Sequence, residues 1–512
     1  MKLRISTLSR IALPLLLLVE WGFMTANLAQ QSMWIDEWFT VQNVAGPWAN
    51  IIPKLIAEER RPPLYWLVLK SWTELSGHSE FAIRIFSVSC AALTVALIWQ
   101  IGKRLLPRSS ALLAACAFGL TPFVLLYGRM MRSYMLFALL TALSVLCWSM
   151  FMQRSSRKTW GLYVLSLVGM LYTDYGAVGV LGVHGLWWLW HFLRTRGHSR
   201  LAGISASIVA GIVFLPWATV LVQQSARSVG GTAADLAFSP VGMALKMAMP
   251  FVSLSIGETL YPWTVLGILG VLMLNAAALF GLWKLLRSTT PTGIFLALWV
   301  GVTLVFTATL LSFVAVDITF MNATSRAPHL AVAYALLAAH GIHTFTPRLR
   351  TAAIGIIIIV WGAAFANFYA LRDFHNPIYA VPTREIAQRM HNANADTLLI
   401  AESDTLVPYY YAQAAGAAKM LTVTPGNEMT PIQQRIAVET PARIQIAWFG
   451  RDRTSSSFGT PELASWLTTH SYYEVQRDEY GPVGDSYQRI KSMLVKHETY
   501  AAKLTVQVFE KK

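Results

Sequence analysis

Residues 11–38 read IALPLLLLVEWGFMTANLAQQSMWIDEW, and this stretch decides what kind of molecule the chain makes. From Ile11 to about Leu28 the run is apolar and long enough to cross the hydrocarbon core of a bilayer. Lys2, Arg4 and Arg10 precede it as they would in a secretory signal. No small-residue cleavage site follows, so the run is expected to stay as an uncleaved first span. Directly after it comes Trp34-Ile35-Asp36-Glu37-Trp38, two carboxylates between indole rings at the point where the chain leaves the membrane.

Working outward, apolar runs of similar length recur as far as Tyr369. Spans are predicted near residues 11–28, 81–102, 110–127, 133–152, 160–174, 176–193, 202–222, 259–283, 293–315, 327–345 and 351–370. The 512 residues are 55% hydrophobic and 13% charged, a ratio that a soluble fold of this length could hold only by exposing large apolar patches. The expected fold class is a polytopic α-helical membrane protein with about eleven transmembrane helices over residues 1–371. A C-terminal extracytoplasmic α/β domain is expected over 372–512.

The net charge of +15 raises the question of nucleic acid, and its distribution answers it. Alternate connections between the spans hold Lys2, Arg4 and Arg10; Lys103, Arg104 and Arg108; Arg154, Arg157 and Lys158; Arg194, Arg196 and Arg200; Lys284 and Arg287; and Arg348 and Arg350. None of those connections contains Asp or Glu, and the other basic residues nearly cancel the 26 acidic ones. The excess is a positive-inside signal rather than a nucleic-acid surface. It predicts a multi-pass protein of a bacterial inner membrane, with a cytoplasmic N-terminus and a periplasmic C-terminal domain. Cys90, Cys116 and Cys147 all fall within apolar runs and are expected to pack as small hydrophobes.

The outer connections are the longer ones, which places any chemistry on the outer face. The first, residues 29–80, has amphipathic stretches at Trp34–Val44 and Pro63–Leu75 and is rich in tryptophan, as interfacial segments are. The loop over 223–257 could hold another interfacial helix. Beyond Arg372, Pro382-Thr383-Arg384-Glu385 opens a helix to about His391 with Thr383 as its N-cap, and Thr397–Ala401 and Ile444–Phe449 read as strands. A further helix begins at Thr460-Pro461-Glu462. No GxxxxGKS loop is present, so direct use of ATP is unsupported.

The polar residues that could do chemistry form an ordered set on that outer face: Asp36-Glu37, Arg61-Pro62-Pro63-Leu64-Tyr65-Trp66, Arg132-Ser133-Tyr134, Tyr172-Thr173-Asp174-Tyr175 and Arg326. The set resembles the GT-C glycosyltransferases. It is most similar to the dolichyl-phosphate-mannose protein mannosyltransferase branch, which includes the aminoarabinose transferases of lipid A. That branch carries an Asp-Glu pair after its first span, a basic or His residue before a PPLYY-like stretch, an Arg-x-Tyr segment, a Tyr-Thr-x-Tyr stretch and an Arg opening a late span. The chain departs from it in two places. Gly128-Arg129-Met130-Met131-Arg132 lacks the acid many relatives carry there, and Asp174 replaces a common His; Asp174 could stand in for the missing acid.

The resemblance implies an inverting transfer of sugar from a polyprenyl phosphate to an acceptor hydroxyl on a glycolipid, glycan or protein. Phosphate is already a good leaving group, so such a site needs a base and cations more than a strong acid. Asp36 is the candidate base, with Glu37 as a second carboxylate. Arg61, Arg129, Arg132 and Arg326 are the candidates for gripping the donor phosphate. Tyr65, Tyr134, Asp174 and Tyr175 are candidate substrate contacts. No cofactor is required by this chemistry, although paired carboxylates could hold Mg2+ or Mn2+.

Each residue also has a plainer reading. The acidic pair could simply be solvated, Arg61 could snorkel to headgroups, and Arg129 and Arg132 could anchor their turn. Arg326 could bridge to Asp317, and Asp174 could cap its turn. Glu20, mid-span, should face the bundle as a structural carboxyl, because a carboxylate facing lipid is costly. His184 should be a packed polar residue, and Trp187, Trp188 and Trp190 interfacial or lipid-facing rings. A lipid or lipid-linked-glycan transporter and an inactive scaffold relative are the competing functions. Neither inverted repeats nor mid-span interruptions, the usual marks of a carrier, stand out.

Overall fold

The computed structural model describes residues 2–57, 59, 61–194, 199–228, 240–288, 290–314, 322–375, 377–393, 396–414, 419–424, 426–450, 461–480 and 503–512. Glu58, Arg60 and Asp317 lie outside the described residues. The chain divides into two compact bodies. One comprises Met1–Leu28 and Phe39–Ala366, the other Ala29–Trp38 and Asn367–Lys512.

The first body is helical. Its elements begin with α1 (Lys2–Thr25), α2 (Ile35–Ala45, whose first turn belongs to the other body), α3 (Trp48–Ala57) and α4 (Leu64–Ser76). They continue with α5 (Glu80–Leu105), α6 (Arg108–Gly119), α7 (Pro122–Tyr127), α8 (Tyr134–Gln153), α9 (Arg157–Leu171), α10 (Ala177–Arg194) and α11 (Ser199–Ser228). The last are α12 (Pro240–Ile256), α13 (Val265–Arg287), α14 (Pro291–Val314), the short α15 (Asn322–Ser325), α16 (Pro328–Thr344) and α17 (Pro347–Tyr369). Among the described residues, α5, α8, α13 and α17 and long stretches of α11 and α14 are long and apolar enough to cross a membrane. A multi-pass membrane protein follows from this.

Several boundaries differ from the sequence reading for identifiable reasons. The run over 110–127 is not one helix. Pro122 supplies no amide hydrogen and drives Thr121 into extended backbone, so α6 stops at Gly119 and α7 restarts with the Thr121 hydroxyl capping it. The run predicted from 259 becomes helical only at Val265, where the Thr264 hydroxyl accepts the Gly267 N–H at 3.1 Å. The loop over 223–257, which could hold a helix on the sequence reading, does contain one, α12.

Close packing explains the small residues between the spans. Gly281 of α13 and Gly341 of α16 sit against each other's backbone, where a Cβ on either would run into a main-chain carbonyl, of Leu337 or Ala277 respectively. Glu20 is fully buried and faces Gly119 of α6, so it does turn inward. His184 is a satisfied core residue, with Nδ1 2.8 Å from the Tyr163 hydroxyl and Nε2 3.3 Å from that of Ser144. Trp187 and Trp188 correct the expectation of lipid-facing rings. Both are wholly buried, packed edge-on to each other, with Trp187 also edge-on to Trp148.

The second body is α/β. Its helices are α18 (Thr383–His391), α19 (Val407–Gln413), α20 (Met429–Glu439) and α21 (Pro461–Thr469). Its strands are β1 (Thr397–Glu402), β2 (Met420–Val423), β3 (Arg443–Gly450), β4 (Tyr472–Tyr480) and β5 (Lys503–Lys511), in the order β2-β1-β3-β5-β4. β1 pairs parallel with β2 and β3, as strands joined through helices do, and β5 runs antiparallel to β3 and β4. β1 is buried along its whole length, and Leu398, Ile400, Ile444 and Ile446 form a core with Ile432 and Ile436 of α20 and Leu463 and Leu467 of α21. α18 has the predicted extent, but Pro382 and not Thr383 occupies the N-cap, without a side-chain cap bond.

Candidate active site

Two of the sequence motifs meet through the main chain. Pro62 and Pro63 carry no amide hydrogen, and the first donor after them, Leu64 N–H, binds the Tyr172 carbonyl at 2.8 Å. This lays the start of α4 along the Tyr172–Tyr175 turn between α9 and α10. Arg61 is thereby buried, with Nη1 3.4 Å from Asp174 Oδ2 and 2.5 Å from the Ser133 hydroxyl. Its guanidinium carbon lies 5.1 Å from the centre of the Tyr134 ring, a cation–π arrangement. Asp174 is held in place because its other oxygen accepts the Gly176 N–H at 2.9 Å, as in an Asx turn.

Arg326, in the turn between α15 and α16, is half-buried beside the same cluster. Burial, and then the charge of Arg61, lower its proton affinity, while Asp174 and Tyr134 oppose that and Arg132 adds to it. Arg132 also donates to the Thr40 hydroxyl at 3.2 Å. Arg61, Arg132, Tyr134, Asp174 and Arg326 therefore form one group that brings three guanidiniums together with the Asp174 carboxylate.

The other predicted residues are held by contacts of their own. Arg129 donates to the Ala26 and Asn27 carbonyls, both at 2.7 Å, and lies 3.4 Å from that of Phe23, so it closes the turn that ends α1. Tyr65 is buried on α4 against Trp66 and Phe86. Tyr175 points toward α11, donating to Gln224 Oε1 at 2.6 Å and accepting from Trp217 Nε1 at 3.1 Å. Asp36 and Glu37 belong to the second body, in the first turn of α2, where carboxylates suit the positive end of the helix dipole. Glu37 is buried, and one of its oxygens accepts the Trp34 N–H at 3.4 Å.

Two residues beside the arginine group were not anticipated from the sequence. His329, in the first turn of α16, is fully buried with its ring 5.1 Å from Phe137, and neither nitrogen has a hydrogen-bond partner among the described residues. Glu258 follows α12 and is buried, its Oε1 accepting from Tyr127, from Thr324 at 2.6 Å and from Ser253 at 3.2 Å. Burial raises its pKa and those three hydroxyls pull against the rise. Tyr127 stands edge-on to Tyr134 at 5.3 Å, which links the Glu258 group to the arginine group. An acid just before one expected span and a His in the first turn of another were visible signals, but nothing along the sequence paired them with the motif residues. Among the described residues no cluster of His, Cys, Asp and Glu is arranged to hold a metal ion.

Residues 60–221 match the family model described as dolichyl-phosphate-mannose-protein mannosyltransferase. No curated protein matches the chain at the level of sequence. The fold is similar to that of ArnT from Cupriavidus metallidurans bound to undecaprenyl phosphate, with 11% identity, a TM-score of 0.52 and 97% of each chain covered. It is equally similar to the apo state of that protein, with 12% identity, a TM-score of 0.51 and 98% of each chain covered. The chain thus shares the fold of ArnT, and its residues 60–221 are similar to the dolichyl-phosphate-mannose-protein mannosyltransferase family.

Proposed function

We propose that the protein transfers a sugar from a polyprenyl-phosphate donor to an acceptor hydroxyl at the outer face of the membrane, with inversion. The observation that carries this reading is the charge balance of the buried group. Arg61 and Arg326 stand beside the carboxylate of Asp174, so guanidinium groups converge where an incoming anion would enter their charge balance. A donor phosphate is such an anion, and paired guanidinium hydrogen bonds suit its oxygens. The undecaprenyl phosphate bound by the structurally similar ArnT supports a lipid phosphate as that ligand.

In this reading Arg61, Arg132 and Arg326 hold the phosphate and disperse its charge as the glycosidic C–O bond breaks. Asp36 takes the proton of the acceptor hydroxyl as its oxygen attacks the far face of the anomeric carbon. Glu37 orients Asp36 or the acceptor. Asp36→Asn should insert and fold normally yet abolish transfer, read by mass spectrometry of envelope glycolipids, glycans and proteins from cells with the variant, with the wild type and without the gene. Transfer retained by that variant would remove Asp36 from the mechanism.

A further inference from the structure

The segment that carries Asp36 and Glu37 follows a membrane helix, but the α/β body is what grips it. Residues 29–38 are tied to that body at successive positions. Arg384 donates to the Ala29 carbonyl through Nη1, and its backbone N–H donates to the Ser32 hydroxyl at 3.2 Å. Gln31 donates to the Tyr379 carbonyl at 2.7 Å, and Ser32 donates to Glu385 at 3.2 Å. The buried Met33 N–H donates to the Tyr410 hydroxyl at 2.6 Å. Trp38 packs on Tyr409, ring centres 4.0 Å apart.

The gripping residues are themselves held. Tyr409 and Tyr410 sit on α19, whose N-cap, Leu406, is in the left-handed region at φ 59°, a backbone state a leucine rarely takes. The Leu406 side chain is buried, and the Thr405 hydroxyl accepts the Val407 N–H at 3.4 Å, which fixes the bend. Arg384 lies over the Tyr410 ring at 5.2 Å, so α18 and α19 act on the segment together.

We infer that the C-terminal body is a positioning device for the acidic pair, with Tyr410, Arg384 and Ser32 as positioning residues that set where the Asp36 and Glu37 carboxylates stand. The inference rests on the proposed role of Asp36. Its physical basis is that a general base works only when held within hydrogen-bond reach of its proton, and a two-carboxylate turn on an untethered loop would not be.

The test uses the full chain in detergent, with Tyr410→Phe and Ser32→Ala as independent variants and Ser32→Thr as the hydroxyl-keeping control. Hydrogen exchange is followed over residues 29–38, and initial rates are measured over a concentration series of the polyprenyl-phosphate-sugar fraction extracted from the same cells, with the glycolipids, glycans and proteins of an envelope from cells without the gene as acceptors. Both disruptive variants should exchange at least tenfold faster over 29–38 with α5 and α8 unchanged. Both should lose at least tenfold in kcat at unchanged KM, and Ser32→Thr should retain wild-type behaviour. Unchanged exchange would overturn the inference, and so would faster exchange with full kcat. A wild-type protein that transfers no sugar from that fraction would instead sink the glycosyltransferase reading, leaving exchange to decide whether the body holds the segment.

Discussion

Arg61 donates at once to a hydroxyl and toward a carboxylate while its flat face lies on a tyrosine ring. A lysine has the charge but neither the fork nor the plane, so Arg61→Lys should fold and still lose about tenfold or more in transfer, roughly 1.4 kcal/mol. Arg61→Ala should behave differently. Removing one partner of a buried pair strands Asp174, at about 3–5 kcal/mol, and the melting temperature in detergent should fall as well as the rate. A Lys variant with wild-type turnover would exclude a bidentate role. Glu258 makes a prediction with a sign. Its folded pKa lies above the ordinary 4.5, so its contribution to stability is whole below about that pH and declines as pH rises through the folded value, where the buried acid must ionise. Glu258→Gln stays neutral and should flatten the decline in melting temperature as pH rises above about 4.5.

Between elements, the tightest approach is the crossing of α13 and α16. Gly341→Ala puts a methyl against the Ala277 carbonyl, and because that obstacle is backbone the helices must part. Overpacking of this kind costs about 1–3 kcal/mol, so the variant should melt earlier in detergent with its apolar composition intact. The break between α6 and α7 is a second consequence of element chemistry. A proline and a capping threonine turn one predicted span into two helices and deliver Tyr127 to Glu258.

Across the whole molecule, the helices were readable because their signal is local. Helices occur at every predicted apolar run, and β1, β3, α18 and α21 lie where the sequence reading placed them, though the cap of α18 does not. The motif residues were readable too, as polar groups in places where lipid or interface makes them expensive. Their company was not. That Arg61 meets Asp174, that Arg129 closes α1, and that Tyr175 faces α11 depend on how helices far apart in sequence rotate and pack, and spacing along the chain carries no record of that rotation. The sorting of Asp36 and Glu37 into the α/β body is the sharpest case. Sequence alone settled that the chain is a many-spanning helical protein with an acidic pair just past its first span, because hydropathy and charge act residue by residue. Only the folded chain could decide which groups meet and which body holds that pair, because those outcomes come from contacts between segments far apart in sequence.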